Sequence, residues 1–368
     1  MKGSKLELSG AGPTGIAEGT EPGFFDYVLP EERIADRPAS PRDAARLLVV
    51  SRATGALSHG RVRDLPGLLG PGDLVVLNDT KVVRARAAAR KVPTGGRVEL
   101  LFLLRGGAGR DDRTCEALAR GAGRPGTRLR LEPDGPEVEV LSAAGGTISV
   151  RLPDRFDLRA WLEKSGDIPL PPYILRRRGE RTARPEDFET YQTVYARADG
   201  SAAAPTAGLH FTPSLLAELE HRGIETASVT LHVGPATFRP LSEAGCPEVA
   251  PDPEWYSVPP ETVLAWERAR GRGGRIVAVG TTATRVLETV SRVGAGIPAG
   301  EGWTSLVIRP GHRFRVIDGL LTNFHLPRTS LLLLVSAFAG EERTRAAYGA
   351  AIREGYRFYS YGDAMLII

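Results

Sequence analysis

A block of the chain between residues 74 and 153 contains strand patterns but no convincing helical period, and it constrains the fold more than any other feature. Its short apolar runs are LVVLND, RVELLFLL, TRLRLE, EVEVL and TISVRL, with Gly, Pro and Arg between them. Short strands separated by turn residues are typical of a small antiparallel barrel or sandwich. The sequence therefore predicts a β-barrel domain over residues 74–153.

Outside this block, helical and strand patterns alternate. Helical periods cover residues 213–222, 261–270, 283–290, 330–338 and 341–354. The strand-like runs between them are SVTLHVG, RIVAVG, TSLVI, GLLTNFH and YRFYSYG, and residues 47–59 read as a hairpin. This alternation predicts an α/β domain with a mixed or mostly parallel sheet and flanking helices. Residues 24–73 and 154–368 would form it, with the small antiparallel β-barrel domain inserted between them.

The amino-terminal segment and the composition indicate a cytoplasmic protein. Residues 1–23 lack the apolar core of a signal peptide and are predicted to form a disordered tail. The chain is 42% hydrophobic and 25% charged, and no apolar run is long enough to cross a bilayer, so no membrane association is expected. Cys115 and Cys246 lie far apart without CxxC spacing, which argues against a disulfide framework or a zinc site.

A basic run is the clearest charge feature. The net charge is only +4, which permits nucleic-acid binding without requiring it. Within ILRRRGERTARPED, the residues Arg176, Arg177 and Arg178 are consecutive. This run is read either as an arm that contacts RNA phosphates or as a solvated linker.

Polar residues follow the predicted strands of the α/β domain. They are His232, Gly280, Thr281, Thr282, Arg309, Asn323 and His325. Ligands of open α/β sheets bind outside the carboxyl ends of the strands. Each position alone has an ordinary structural explanation, and together the positions predict a shared cleft.

Missing motifs restrict the chemistry of that cleft. The sequence contains no GxxxxGK[ST] phosphate loop, no HExxH and no GxSxG. His210, His232 and His325 lack close partners at metal-ligand spacing, so no metal site is expected. The remaining imidazoles, neutral polar groups and small residues suit a bulky organic ligand and general acid–base catalysis.

The stretch GSAAAPTAGLHFT places His210 directly before a helix start. Thr212 can cap that helix, and Pro213 suits its first position. The small residues before His210 would let the backbone press against a nucleoside. The alternative is a packed turn that holds a structural histidine.

Several segments together resemble a known family. The most specific are YQTVYARADGSAAAPTAGLHFT, VTLHVGPATFRPL, AVGTTATRVLE, LLTNFHLPRTSLLLLVSAFAG and YRFYSYGDAML. Upstream, RDAARLLVV, GDLVVLNDTKVVRAR, GGRVELL and IPLPPYI continue the match in the family's order, from about residue 25 to the last residue. In these segments the chain resembles the S-adenosylmethionine:tRNA ribosyltransferase-isomerases of the queuosine pathway.

The resemblance implies a reaction and its partners. Members of this family transfer and isomerise the ribosyl part of S-adenosylmethionine onto the aminomethyl group of a 7-deazaguanine in a tRNA anticodon. The products are epoxyqueuosine in the tRNA, adenine and methionine. The expected partners are S-adenosylmethionine and a tRNA that carries the 7-deazaguanine precursor. S-adenosylmethionine is a consumed substrate, and no cofactor or metal is expected. The family also implies an α/β domain with an inserted β-barrel.

The chemistry of this reaction assigns roles to residues within the matching segments. A sulfonium acidifies the ribose C5′ hydrogens, and an imidazole with a pKa of about 6.5 suits their removal at neutral pH. We predict His210 or His232 as this base and His325 as the acid that assists adenine departure or as an orienting group. The predicted substrate-binding residues are Asp79, Tyr191, Thr206, Phe211, Glu254, Gly280, Thr281, Thr282, Arg309 and Asn323.

Specific contacts are expected from some of these residues. Anionic or aromatic side chains would face the sulfonium, with Asp79, Glu254, Phe211 and Tyr191 as the candidates. Thr281 and Thr282 at a helix amino end would hold the methionine carboxylate. Arg309 and Asn323 would read the deazaguanine edge or a phosphate. RNA binding is predicted for Arg176, Arg177 and Arg178.

The chain departs from the family pattern at several positions, namely Asp36, Arg84, Ala89, Pro235, Ala236 and Asp252. At Asp252 the family has a histidine, and at Arg84 it has a proline. These departures leave open a paralogue that uses S-adenosylmethionine with a different, small-molecule acceptor. A non-catalytic RNA-binding module is a third possibility, disfavoured because the three histidines and the GTT segment are all present.

Overall fold

The computed structural model describes residues 26–104, 113–234, 252–291 and 296–368. The predicted tail of residues 1–23 lies outside these ranges, as do Pro235, Ala236 and Cys246. The described residues form a large mixed sheet with flanking helices and a separate closed β-barrel. The predicted fold class is confirmed.

Seventeen strands run through the described part of the chain. They are β1 (Arg46–Val50), β2 (Leu57–Arg61), β3 (Leu74–Asn78), β4 (Thr80–Val82), β5 (Arg86–Val92), β6 (Arg97–Phe102), β7 (Thr114–Arg120), β8 (Arg128–Glu132), β9 (Glu137–Ala144), β10 (Thr147–Arg151), β11 (Ala198–Ser201), β12 (Glu225–Leu231), β13 (Glu254–Val258), β14 (Ile276–Val279), β15 (Gly300–Thr304), β16 (Gly319–Asn323) and β17 (Ala364–Ile367).

The same ranges contain nine α-helices. They are α1 (Leu65–Leu68), α2 (Leu158–Ser165), α3 (Pro172–Arg178), α4 (Asp187–Thr190), α5 (Pro213–His221), α6 (Pro260–Gly271), α7 (Gly280–Val290), α8 (Ser330–Ala339) and α9 (Glu341–Arg353). The five predicted helices correspond to α5 through α9. No helix in the described ranges is both long and apolar enough to cross a bilayer.

The large sheet has nine strands in the order β15-β13-β12-β3-β14-β16-β17-β1-β2. Its central strands β12, β3, β14 and β16 are parallel to one another, while β13 and β15 run antiparallel at one side. Every residue of β3, β14 and β16 is buried. This is expected for parallel strands that helices cover on both faces. The carboxyl ends of four neighbouring strands therefore meet at one edge.

The barrel closes in the order β10-β7-β6-β5-β8-β9. Its strands alternate between buried and exposed residues, as in β6 and β8, and apolar side chains fill its interior. The sequence places the start of this domain at residue 74, but β3 lies in the middle of the large sheet, so the barrel begins at β5. The continuous apolar run of β3 is typical of a central parallel strand and not of a barrel strand.

Two predicted strands are wrong. The run TSLVI is not a strand, because β15 ends at Thr304 and the chain then leaves the sheet. Farther on, the buried Glu288 carboxylate accepts hydrogen bonds from the backbone of residues 315–317 and holds that segment as a loop. The run YRFYSYG is also irregular. Tyr359 has φ 75°, a left-handed conformation that interrupts an extended chain, and the last strand is β17.

Candidate active site

Four parallel strands deliver polar groups to the same edge of the large sheet. His232 follows β12, Asp79 and Thr80 follow β3, Gly280 follows β14, and Asn323 ends β16. Because neighbouring strands lie about 4.8 Å apart, the row from β12 to β16 spans about 14 Å. The strand ends meet as predicted. One of the four strands is β3, whereas the sequence predicted the run TSLVI before Arg309.

A cleft opens at the β12 end of this row. The cleft is open to solvent on one side, and about 90 Å³ of its interior can be occupied by the centres of water molecules. The barrel contributes Leu103 and Leu104, which follow β6. The large sheet contributes His232, Glu254, Trp255 and Trp303, and the helices contribute Arg285 of α7 and Ser330 of α8. The cleft thus lies at the junction of the two domains, where polar and aromatic side chains meet.

His232 is the imidazole that lines this cleft. Its Nδ1 atom lies 2.8 Å from the Thr80 hydroxyl oxygen, and its ring stacks on Trp255 with centroids 4.9 Å apart. A Cβ atom on Gly200 would come within 2.7 Å of Nε2, so only glycine leaves room there. Burial, with a smaller contribution from Arg159, lowers the pKa of His232 to about 4. The ring is therefore neutral at neutral pH, and its orientation is fixed on both sides.

A buried ion pair lies beside this imidazole. Glu254 accepts a hydrogen bond at 2.7 Å from the Gly234 backbone N–H and pairs through its other oxygen with Arg285. Arg285 also donates to the Leu306 carbonyl at 2.9 Å. The carboxylate of Glu254 is thus already neutralised by a protein cation. Arg285 lies four residues after Thr281, on the same face of α7, a spacing that could have identified it in the sequence.

His210 lies outside the cleft. It ends the 3₁₀ turn Thr206–His210, where it is fully buried with Nε2 3.3 Å from the amide nitrogen of Asn323. Burial lowers its pKa to about 4, and Asp363 opposes this shift. Within the turn, a Cβ atom on Gly208 would meet the Tyr195 hydroxyl at 2.0 Å. Gly208 therefore lets the turn pack closely against Tyr195, a protein side chain and not a ligand. Thr206, at the start of the turn, is partly buried.

His325 belongs to the protein interior. Its Nε2 lies 2.9 Å from the Thr322 hydroxyl, and its backbone N–H donates to Tyr348 at 3.0 Å. Burial lowers its pKa to about 3. Because it follows β16, it lies at the opposite end of the row from His232. The three histidines are therefore not brought to one reacting atom. Within the described ranges, no three His, Cys, Asp or Glu side chains are grouped to hold a metal ion.

Three further predicted residues have protein partners. Asp79 is buried, pairs with Arg197 at 2.9 Å and accepts a hydrogen bond from Thr230. Tyr191 and Phe211 are fully buried in two apolar clusters. None of the three lines the cleft. Asp79 therefore serves an ion pair, and Tyr191 and Phe211 serve apolar packing.

The start of α7 places Gly280, Thr281 and Thr282 at the carboxyl end of β14. Gly280 has φ +88°, which lets the chain turn sharply from strand to helix. The helix has no side-chain cap, and the buried Thr282 hydroxyl has no hydrogen-bond partner within the described ranges. This helix start has the backbone N–H groups and positive dipole end that suit an anion. Arg309 is exposed and does not line the cleft.

The basic run divides into one structural and two surface residues. Arg178 is almost fully buried, donates to both carboxylate oxygens of Asp187 at 2.9 Å and also donates to the Asp36 carbonyl. Arg177 is exposed and donates to the Glu31 carbonyl, and Arg176 is exposed. Arg178 is therefore committed to holding α3, which leaves Arg176 and Arg177 as candidates for RNA contact.

The departures from the family pattern lie mostly away from the cleft. Arg84 packs over the Phe188 ring at 3.6 Å, Ala89 fills the barrel interior, and Asp36 contributes a backbone carbonyl to Arg178. Among the departing residues that the structure describes, Asp252 alone lines the cleft, where its side chain is exposed.

Comparison with known proteins agrees with this architecture. The family model described as "Queuosine biosynthesis protein" matches residues 23–367. S-adenosylmethionine:tRNA ribosyltransferase-isomerases of Moorella thermoacetica and Thermus thermophilus are 49% and 50% identical, each over 94% of this chain and 98% of its own length. The crystal structure of S-adenosylmethionine tRNA ribosyltransferase from Thermotoga maritima covers 93% of this chain and 99% of its own, at 36% identity and a TM-score of 0.53. This chain belongs to the queuosine biosynthesis protein family.

Proposed function

We propose that this protein transfers and isomerises the ribosyl part of S-adenosylmethionine onto the aminomethyl group of a 7-deazaguanine in tRNA, releasing adenine and methionine. Family membership over nearly the full chain supports the reaction. The observation that carries the mechanism is the neutral, oriented imidazole of His232 in the cleft between the two domains.

His232 is the base in this proposal. When Nδ1–H is donated to the Thr80 hydroxyl, the Nε2 lone pair faces the space beside Gly200. The sulfonium acidifies the ribose C5′ hydrogens, and Nε2 removes one of them, which starts the elimination of adenine. Adenine leaves with the electron pair of its glycosidic bond and takes up a proton. The amine of the deazaguanine loses a proton as its nitrogen bonds to the ribosyl group, and methionine leaves with the electron pair of the C–S bond as a ribosyl oxygen closes the epoxide on that carbon. A neutral imidazole is required for the first step, and burial keeps His232 in that state.

The other polar groups near His232 bind and orient the substrate. The uncapped start of α7 at Thr281 and Thr282 does not line the cleft itself, but it follows β14, two strands from β12 in the same row of strand ends, and it suits the methionine carboxylate. Glu254 holds Arg285 in place, and because the two charges cancel, the exposed carboxylate of Asp252 is the better partner for the sulfonium. His210 and Asn323 lie farther along the row and support the strand ends.

The proposed reaction consumes S-adenosylmethionine as a substrate and requires neither a metal nor a redox cofactor. The other substrate is a tRNA that carries the 7-deazaguanine precursor, so the reaction belongs in the cytoplasm. The exposed Arg176 and Arg177 provide positive charge for the RNA backbone.

The two alternative functions have less support. A small-molecule acceptor would require a changed cleft, and Asp252 is a change in it, but relatives about half identical to this chain carry the tRNA enzyme's name. A non-catalytic RNA-binding module does not explain a neutral histidine fixed between Thr80 and Gly200 in a cleft.

Adenine release tests the proposed function. The protein is incubated with S-adenosylmethionine in three arms: with tRNA bearing the aminomethyl deazaguanine, with unmodified tRNA, and with the free deazaguanine base. We expect adenine only in the first arm. Release with the free base but not with tRNA would favour the small-molecule acceptor, and no release in any arm would contradict an enzymatic role.

A further inference from the structure

Three flat rings lie in register across three neighbouring strands at the cleft. His232 donates its backbone N–H to the Trp255 carbonyl of β13, and their rings stack with an interplanar angle of 23°. Trp255 is in turn directly opposite Trp303 of β15 in the antiparallel ladder. Residues paired in this way project from the same face of a sheet. The three rings therefore form a continuous row, which we call the aromatic row.

The aromatic row faces away from α7. Glu254 and Thr304, which alternate with Trp255 and Trp303 along their strands, contact Arg285 and Thr289 of that helix. The two tryptophans therefore project from the opposite face, on the side of Gly200 and the barrel residue Leu104, which also line the cleft. The row runs from the proposed base at its inner end to the sheet edge at its outer end.

The outer ring of the row is exposed to an unusual degree for its size. Trp303 is 45% exposed, although tryptophan is usually among the most buried side chains. It lies on β15, the edge strand of the large sheet, at a cleft that also contains the proposed base. An exposed indole in such a place gains little for folding, and its flat face is the surface that a nucleobase stacks on.

We propose that Trp303 and Trp255 form a stacking platform for the acceptor base, extruded from the anticodon loop of the RNA substrate. This inference rests on the proposed function and specifies which part of which substrate the outer cleft binds. Enzymes that modify a base extrude it from its stack and hold it against aromatic side chains. A base lying over Trp303 points its edge along the row, and the aminomethyl arm then extends towards His232, two strand spacings or about 10 Å away.

The position of the platform favours the RNA base over the adenine of S-adenosylmethionine. Trp255 already stacks on His232, so no nucleobase enters between these two rings. The space beside the His232 imidazole is left for the ribose and sulfonium of S-adenosylmethionine. The platform is instead at the open, outer end of the row, where a macromolecule enters. Arg159, which lies near enough to His232 to lower its pKa, supplies a cation for the accompanying phosphate.

Equilibrium binding of a labelled anticodon stem-loop, measured without S-adenosylmethionine, tests the platform independently of turnover. One stem-loop carries the aminomethyl deazaguanine, and a second is abasic at that position. We expect Trp303→Ala to weaken binding of the first loop between about 5-fold and 150-fold, the range of one base–aromatic stack, and to leave the abasic loop unchanged. Trp303→Tyr, which keeps an aromatic ring, should retain most of the wild-type affinity for the modified loop. Leu264→Ala, which removes a similarly exposed apolar side chain from α6, is the control.

Turnover provides a second readout. For Trp303→Ala the KM for tRNA should rise by a similar factor, while the KM for S-adenosylmethionine stays within about 2-fold. Equal weakening of both loops, or a rise in KM for S-adenosylmethionine alone, would overturn the platform. If the wild-type protein bound the modified loop in preference to the abasic loop, through Trp303, but released no adenine, the platform would stand and the proposed reaction would fail.

Discussion

The barrel and the carboxyl edge of the large sheet treat charged and polar side chains in opposite ways. The barrel buries apolar side chains and keeps its charges outside in pairs such as Arg90–Glu132 and Arg151–Glu139. The sheet edge buries an ion pair and three neutral histidines. Burying polar groups opposes folding unless they are fully hydrogen-bonded. We infer that the barrel interior stabilises the fold and that the carboxyl edge of the large sheet binds a ligand.

Replacing the proposed base, His232, at the sheet edge should change kcat more than any other substitution considered. We expect His232→Ala to lower kcat by about 10²-fold to 10⁴-fold, the range of general acid–base catalysis. The fold should persist, because the ring lines the cleft and lies outside the apolar core clusters. His221→Ala, at the exposed end of α5, should keep wild-type turnover. Retention of more than about half of kcat in His232→Ala would remove this residue from the chemistry.

Breaking one ion pair in each region compares their energetics directly. Arg285→Met removes the cation that pairs with the buried Glu254 carboxylate, so we expect the free energy of unfolding to fall by about 3 to 5 kcal/mol. Arg90→Met breaks a partly exposed pair of the barrel and should change it by less than about 1 kcal/mol. Denaturant titration of both variants measures the difference. Equal effects would mean that the two regions do not differ in the way described.

Replacing one glycine in each region distinguishes the effect of a steric contact from the effect of backbone strain. Gly200→Ala introduces a Cβ atom 2.7 Å from His232 Nε2, and Gly145→Ala, in a barrel turn, meets nothing within 4 Å. Both positions have positive φ, +144° at Gly200 and +57° at Gly145, so each substitution costs about 1 to 3 kcal/mol of backbone strain, with the larger cost at Gly200. We expect only Gly200→Ala to lower kcat, by about 10-fold or more, because a displaced imidazole loses its alignment. Similar kcat values for the two variants would show that the contact at Gly200 is unimportant.

The buried histidines of the α/β domain should make the free energy of unfolding depend on pH. Burial lowers the pKa of His210 and His232 to about 4 and that of His325 to about 3, from an unfolded value of 6.5. Between pH 6.5 and the folded pKa values the unfolded state binds more protons, so the free energy of unfolding decreases as the pH falls through this window. Each histidine contributes up to about 1.4 kcal/mol per pH unit.

The variant His325→Leu isolates one of these contributions. Its free energy of unfolding, measured from pH 7 to pH 4.5, should depend less steeply on pH than that of the wild type, whatever its absolute stability. The barrel sequence between residues 86 and 151 contains no histidine, so barrel variants should keep the wild-type slope. An unchanged slope in His325→Leu would show that its ring is not buried in the neutral form.

The sequence predicts the helices and the fold class well because the periods of the apolar residues directly encode them. The alternation of β6 and β8 identifies a barrel, and the apolar stripes of α5 through α9 identify helices. It misplaces β3 because this strand comes directly before the barrel strands in the chain, although its continuous apolar run differs from their alternation. It also misses the loop after β15, which depends on Glu288, a carboxylate more than twenty residues away in the chain.

The site is only partly predictable for the same reason. His232 and Glu254 are polar residues next to strands, a pattern that the sequence displays. Trp255 and Trp303 are missed because each reads as an ordinary strand residue until the order of β12, β13 and β15 is known. Arg285 is also missed, although its spacing from Thr281 on α7 is visible in the sequence. His325 has the same local pattern as His232, but β16 carries it to the far end of the row, into the interior.

Loss of label from C5′-deuterated S-adenosylmethionine tests the central claim most directly, because it follows the proton that His232 is proposed to remove. Wild-type protein, His232→Asn and His210→Asn are compared in the presence of modified tRNA, with S-adenosylmethionine binding measured separately for each. We expect deuterium loss in the wild type and in His210→Asn, and none above background in a His232→Asn protein that still binds S-adenosylmethionine. Wild-type deuterium loss in His232→Asn, or its abolition only in His210→Asn, would contradict the account.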